Sequence, residues 1–143
     1  MKESLGEGYT LLVPEGYDMY SEVYPEHDAV MLLTEQVKTG IRREYYDKPI
    51  VFNPNAIVEM RFEVGAHRAS PLGIVKKKEY GGIKLLHYKN LSLEHVLQRF
   101  SLYSGRLSEV NKTNCWGEHY LVEESRIRDE FNGNFSRCET VVF

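Results

Sequence analysis

The chain has 143 residues, 42% apolar and 27% charged, with a formal net charge of −3. That length fits one domain, residues 1–143, able to bury roughly 68–70% of its unfolded surface without disulfide or metal staples. The composition is that of a soluble globular protein, and the acidic balance argues against a nucleic-acid binder, which usually shows a basic excess or stripe.

Residues 1–8 are polar and expected to fray. Tyr9 to Val13 is β-prone and ends at Pro14-Glu15-Gly16, a turn signal. Tyr17 to Tyr20 fits a second short strand or an extended loop, and residues 21–28 read as loop. Ala29 to Lys38 suits a short helix with Gly40 as its stop. Ile50-Val51-Phe52 reads as a brief buried strand, followed by an Asn53-Pro54-Asn55 turn in which asparagine and proline supply the turn geometry. From Ile57 to Val64 the chain alternates. Val58, Met60, Phe62 and Val64 fall on one face and Glu59, Arg61 and Glu63 on the other, which predicts a half-buried strand. Ser70 to Gly73 reads as a turn, and Lys76-Lys77-Lys78 as a solvated loop or hairpin tip. Ile74 to Tyr80 fits an edge strand, broken by Gly81-Gly82, and Ile83 to His87 is the next strand.

Ser92 is placed to cap a long helix. Leu93, Val96, Leu97, Phe100, Tyr103, Leu107 and Val110 recur at three-to-four spacing, an apolar stripe over about five turns. Asn111 to Asn114 ends it, and Cys115-Trp116-Gly117 is a loop. Tyr120 to Phe131 predicts a shorter helix, with Glu123 and Glu124 near Ile127 and Arg128 at helical spacing and Asn132-Gly133-Asn134 as its stop. The tail, Thr140 to Phe143, is expected either to pair with a sheet edge or to be disordered, and residues 136–143 generally to be flexible. Strands followed by helices, with no βαβ repeat, predict an α+β or partial α/β fold: a small mixed sheet packed by one long amphipathic helix and a second shorter one.

Cys115 and Cys138 form no C-x-x-C pair and read as reduced thiols. No apolar stretch of secretory-signal length opens the chain and none approaches the ~20 residues of a transmembrane helix. Together these predict a cytoplasmic protein without a membrane span.

His67 and His87 each follow the end of a predicted strand, so neighbouring strands would turn both imidazoles into one cleft. There they are candidates for metal ligation or proton transfer; otherwise each is a structural histidine. His95 opens the helix and reads as surface. His119, beside Trp116 and Tyr120, is a candidate for lining a pocket or for packing. Arg99 and Arg106 are seven apart and would share a helical face, suited to phosphate or carboxylate oxygens, with ion pairs to Glu94 and Glu109 as the alternative. Lys89 stands close enough in sequence to help hold an anion. Asp18, Asp28, Asp47 and Asp129 are dispersed, so no D-x-D motif is present. There is also no dinucleotide fingerprint, P-loop or nucleophile elbow. Ten tyrosines suit half-buried positions or sugar-stacking surfaces.

An ordered set of motifs spans residues 9–120: Gly16-Tyr17-Asp18-Met19, Tyr46-Asp47-Lys48-Pro49-Ile50-Val51-Phe52-Asn53-Pro54, Phe62-Glu63-Val64-Gly65-Ala66-His67, Leu85-Leu86-His87-Tyr88-Lys89, Arg99 with Arg106-Leu107-Ser108, and Trp116-Gly117-Glu118-His119-Tyr120. In these the chain resembles the C-terminal half of bacterial family 2 glycosyltransferases of the inverting GT-A type. The resemblance implies sugar transfer from a nucleotide-sugar donor to a glycan or lipid-linked acceptor, with a divalent cation, Mn or Mg, neutralising the diphosphate. By it, His87 is the candidate metal ligand, and His67, Lys89, Arg99, Arg106, Trp116 and His119 are candidates for substrate binding. The nucleotide-binding half, which carries the acidic metal motif, has no counterpart here. The resemblance therefore implies a fragment, split protein or degenerate relative that transfers no sugar alone, with exposed apolar surface that favours pairing with the missing half or self-association. The competing expectation is a non-catalytic binding or assembly module whose His/Arg cluster holds an anion.

Overall fold

The computed structural model describes residues 8–26 and 30–142, apart from the side chain of Val64. Expectations that touch residues 1–7, 27–29 and 143, or the side chain of Val64, lie outside the described residues. The fold is mixed α+β. A mostly antiparallel five-stranded sheet has the order β3-β1-β2-β7, with β6 also pairing β1, and a separate ribbon is formed by β4 and β5. The strands are β1 (Leu11–Ser21), β2 (Thr39–Arg42), β3 (Val51–Phe52), β4 (Ile57–Glu59), β5 (Leu72–Gly73), β6 (Lys77–Leu91) and β7 (Glu139–Thr140). The helices are α1 (Leu33–Gln36), α2 (Leu93–Ser104), α3 (Glu109–Thr113) and α4 (Glu124–Phe135), with 3₁₀ turns at Glu44–Tyr46, Val64–Ala66 and Glu118–Tyr120. The described chain divides into two compact units, one of residues 8–18 and 42–87, the other of residues 19–26, 30–41 and 88–142.

In the first unit, β1 pairs β3 through Leu11↔Phe52 and Leu12↔Val51. Pro14-Glu15-Gly16 is not a turn, as local chemistry predicted, but lies inside β1. The Gly16 carbonyl accepts from the Arg43 amide and the Gly16 amide donates to Asp47 Oδ1, so a backbone and a side-chain partner elsewhere in the unit hold the segment extended. The buried Pro14 has no N–H to satisfy. The clean alternation expected from Ile57 to Val64 also fails. Ile57 and Met60 pack on Leu11, whereas Val58 is 87% exposed and Phe62 46%. The pairing of β4 with β5 slips between Ile57 and Glu59, and Arg61 sits at φ 49°, so the two-residue period loses phase. Leu72-Gly73, expected as a turn, is the partner strand. The Asn53 turn forms as expected: Asn53 Oδ1 accepts from the Asn55 amide and the Asn53 carbonyl from Ala56.

Gly81-Gly82 does not break β6. A Cβ on Gly82 would lie 2.6 Å from the Tyr80 ring, so the glycine lets that ring lie across an unbroken strand. His87 therefore sits within β6 rather than at a strand end, and Lys77-Lys78 are strand residues with the Lys78 ammonium over the Tyr9 ring.

In the second unit, Ser92 caps α2 as expected, its hydroxyl accepting from the His95 amide at 3.3 Å. The five-turn helix is corrected to twelve residues. Gly105 ends it, and Ser108 caps the separate α3. Leu93, Val96, Leu97 and Phe100 reach the core with Tyr20, Ile127 and Phe131, while Val110 is 63% exposed. The apolar period thus outruns the helix because a C-cap and a new N-cap interrupt it. The second helix is not the shorter one: α4 also has twelve residues and continues through Asn132-Gly133-Asn134. Ile127, Phe131 and Phe135 at four-residue spacing all contribute to this core, and their packing outweighs the local weakness of Gly133. Glu124 and Arg128 form the predicted i,i+4 pair at 2.6 Å. The short helix expected between Ala29 and Lys38 is α1, of four residues, and Gly40 is not its stop but a buried residue of β2, paired with Glu139 of β7. The tail therefore takes the sheet-edge alternative. Among the described residues no helix is long and apolar enough to cross a membrane, and Cys115 and Cys138 are not joined in a disulfide.

Candidate functional site

In the first unit, β1 carries Asp18 into the interior, where it is 4% exposed. An ionised carboxylate so placed requires polar partners. Its Oδ1 lies 3.3 Å from His87 Nδ1 on β6, and its Oδ2 lies 3.8 Å from Arg43 Nε. A carboxylate facing Nδ1 favours the tautomer with the proton on that nitrogen, which puts the lone pair on Nε2. That is how imidazoles are prepared as bases or metal ligands. The His87 side chain is 43% exposed, so the ring reaches the surface while its orienting partner does not.

The 3₁₀ turn Glu44–Tyr46 supplies the second layer. Tyr46 stacks on His87 with centroids 4.5 Å apart, Tyr45 stacks on His67 at 4.0 Å, and the two tyrosines meet edge to face at 5.3 Å. The carbonyl of Tyr45 is 2.8 Å from His67 Nδ1. The two histidines thus belong to one continuous aromatic wall joined by two tyrosines, although neither stands at the end of a strand as the sequence had them. Asp47 anchors the turn by accepting from the Gly16 amide at 2.7 Å and from Arg42 Nη2 at 2.5 Å. Lys48 Nζ donates to the Gly65 carbonyl at 3.0 Å, tying the same turn to the segment that carries His67.

Beside the wall, Lys84 of β6 hydrogen-bonds and pairs with Glu15 of β1. The Tyr17 hydroxyl donates to Glu15 at 3.2 Å, and the Tyr17 ring is approached by Lys84 at 5.3 Å and Arg42 at 5.8 Å. The Lys84 hydrogen bond holds the Glu15 carboxyl below its usual range, and that bond to Glu15 raises the Lys84 ammonium. The pair's contribution is present above the ordinary carboxyl range and is lost as pH falls through the depressed Glu15 value. On the alkaline side it is present below the ordinary lysine range and is lost as pH rises through the raised Lys84 value. Glu15→Gln is expected to reduce stability between these limits by at most about 1 kcal/mol, the ordinary range for an accessible pair, and to leave stability in acid unchanged. Urea melts at pH 3 and pH 7 measure this. An equal loss at both pH values would assign the effect to packing.

The other sequence candidates lie in the second unit. Arg99 is on α2 and donates from Nη1 to the Lys89 carbonyl. Arg106 lies beyond the end of α2 and is exposed, so the two arginines do not share a helical face. Glu94 accepts from Gln98 rather than pairing with Arg99, and Glu109 pairs with Lys112. His119 packs its ring on Tyr120 at 4.0 Å, and Tyr120 in turn packs on Phe100 and Tyr103. Trp116 is 56% exposed. Residue spacing passed over Asp18, Tyr45 and Tyr46 as site residues, although the motifs Gly16-Tyr17-Asp18-Met19 and Tyr46-Asp47-Lys48-Pro49 contained Asp18 and Tyr46.

His87 backed by Asp18 suits a single metal ligand with an orienting carboxylate. Among the described residues, no group of three histidine, cysteine, aspartate or glutamate side chains is placed to hold a metal ion. The wall itself presents flat rings with polar edges, a surface chemistry suited to the face of a sugar. The chain matches no family model, and no curated protein and no solved structure shows significant similarity to it.

Proposed function

We propose that the chain is the acceptor-side part of a family 2, GT-A type glycosyltransferase, acting with a nucleotide-binding half to move a sugar from a nucleotide-sugar donor to a glycan or lipid-linked acceptor. The observation that carries this reading is the wall of Tyr45, His67, Tyr46 and His87 set on the buried Asp18. In this reading Asp18 orients His87, His87 provides one ligand to a divalent ion, and the tyrosine rings receive the sugar. The ion supplies charge neutralisation for the diphosphate leaving group. The other ligands come from the second half, as does the pocket for the nucleotide. The exposed Val58, Phe62, Leu72 and Ile74 on and around the β4–β5 ribbon are compatible with such a partner or with self-association.

Paramagnetic broadening by Mn²⁺, followed on the histidine ring protons, tests the reading. The His87 signals are expected to broaden before those of His67, and Asp18→Asn to weaken the response about tenfold. Broadening that ignores His87 overturns its assignment. Steady nucleotide release from a nucleotide-sugar by the chain alone, above background with Mn²⁺ present, would overturn the requirement for a second half. A non-catalytic binding module is the second reading. It predicts anion binding that is indifferent to Mn²⁺.

A further inference from the structure

His67 Nδ1 lies 2.8 Å from the Tyr45 carbonyl oxygen. A carbonyl can only accept, so Nδ1 carries a proton and donates it. In the neutral ring the lone pair then belongs to Nε2. The ring cannot exchange its two nitrogens without giving up that bond and disturbing the stack on Tyr45 at 4.0 Å. The turn that carries Tyr45 therefore fixes which atom His67 shows to its surroundings, and that atom is an acceptor.

A ligand can reach it. His67 is half-buried, and among the described residues its Nε2 has no hydrogen-bond partner. Unlike the Tyr88 hydroxyl, Asn90 Nδ2 and Arg99 Nε, it is not shut off from solvent. Gly65 keeps this edge of the ring clear, since a Cβ there would come within 2.9 Å of His67 Cδ2 and 3.4 Å of Nε2. Tyr45, on which the ring stacks, is itself 67% exposed. Asp47, Glu15 and Asp18 are engaged elsewhere: Asp47 accepts from Gly16 and Arg42, Glu15 from Lys84 and Tyr17, and Asp18 faces His87 and Arg43.

We propose that His67 Nε2 is the hydrogen-bond acceptor of the wall and takes a hydroxyl of a neutral sugar that lies against Tyr45. This rests on the reading of the wall as a sugar surface and adds a polarity to it. A lone pair repels the oxygens of a phosphate or carboxylate and attracts an O–H, so the ligand here is an uncharged hydroxylated ring and not an anion. An exposed aromatic ring beside a fixed acceptor serves both halves of a sugar, its C–H groups and its hydroxyls.

The test uses the full chain with ¹⁵N-labelled histidine at pH 8, above the ordinary range of an imidazole. Long-range ¹H–¹⁵N spectra are expected to show His67 protonated at Nδ1 and bare at Nε2. Titration with the methyl glycosides of glucose, galactose and N-acetylglucosamine is expected to move the Nε2 signal saturably with at least one of them. Inorganic phosphate is expected to leave it in place. His67→Phe, which keeps a ring for Tyr45 but no lone pair, is expected to weaken glycoside binding about fivefold, read from the Tyr45 ring protons. A proton on Nε2 in the wild-type chain overturns the proposal. So does a saturable response of Nε2 to phosphate, or unchanged affinity in His67→Phe. Glycosides that move the Tyr45, Tyr46 or His87 ring signals but not His67 Nε2 overturn this inference and leave the sugar surface standing. Glycosides that move none of them overturn both. The wild-type arms decide the matter even where the variant fails to fold.

Discussion

Gly16→Ala is expected to destabilise the first unit by about 3 kcal/mol and to detach Tyr46 from His87. A Cβ on Gly16 would lie 2.5 Å from Tyr46 Cβ, and just as close to the Tyr46 carbonyl. Neither group can swing aside as a long side chain would, because Tyr46 is held in its 3₁₀ turn by backbone bonds and by Asp47, which also accepts from Gly16. The strand or the turn must shift, and the stacking of Tyr46 on His87 shifts with it. Urea unfolding measures the energetic part. The ring-current shifts of the His87 protons measure the geometric part. Gly133→Ala is the control: nothing lies within 4 Å of a Cβ there, and the residue is inside α4, so that change is expected to stabilise by about 0.5–1 kcal/mol. A Gly16→Ala variant with wild-type stability and unshifted His87 signals would mean that the turn is not seated on β1 as described.

Phe131→Ala is expected to cost the second unit about 3–5 kcal/mol, the range for truncating a buried aromatic. Phe131 is 7% exposed and packs its ring on Tyr20 at 5.6 Å and on Phe135 at 6.0 Å. With Val96 and Ile127 it closes the cluster through which α2 and α4 are joined to β1. Removing it leaves a cavity between rigid elements, so little of the lost contact is recovered by collapse. Denaturation followed by circular dichroism reads the loss, and amide exchange in α4 should quicken by a matching factor. A cost below about 1 kcal/mol would show that the site relaxes freely, against the interlocked packing seen here. The contrast with Glu15→Gln is instructive. An accessible ion pair exchanges water for protein at small gain, whereas a buried ring has no comparable partner in water.

The candidate site was partly legible. His67 and His87 stood out because each followed an apolar strand pattern, and the structure does unite them. It does so through Tyr45 and Tyr46, which no spacing rule connected to either. Arg99 and Arg106 were linked by a helical period that Gly105 and Ser108 interrupt, and each arginine then took a different setting. Arg99 takes a setting that spacing cannot express: its Nη1 donates to the Lys89 carbonyl while its Nε is buried without a hydrogen-bond partner.

By itself the sequence determined what depends on nearby residues. It placed the Ser92 cap, the start of α2 and its inward-facing residues through Phe100, the Asn53 turn, the Glu124–Arg128 pair and the mixed α+β class. Each rests on chemistry within a few positions along the chain. Only the tertiary structure decided that β1 runs straight through Pro14 and Gly16 and that β6 runs through Gly81 and Gly82. It also decided that α4 passes Gly133 and that the alternation after Ile57 loses phase. At those places long-range hydrogen bonds and packing exceed the roughly 1 kcal/mol by which a glycine or a turn residue biases its own backbone. The wall is of the same kind. Asp18, Tyr45, Tyr46, His67 and His87 are scattered over seventy positions, and strand pairing together with the Gly16–Tyr46 contact makes them neighbours.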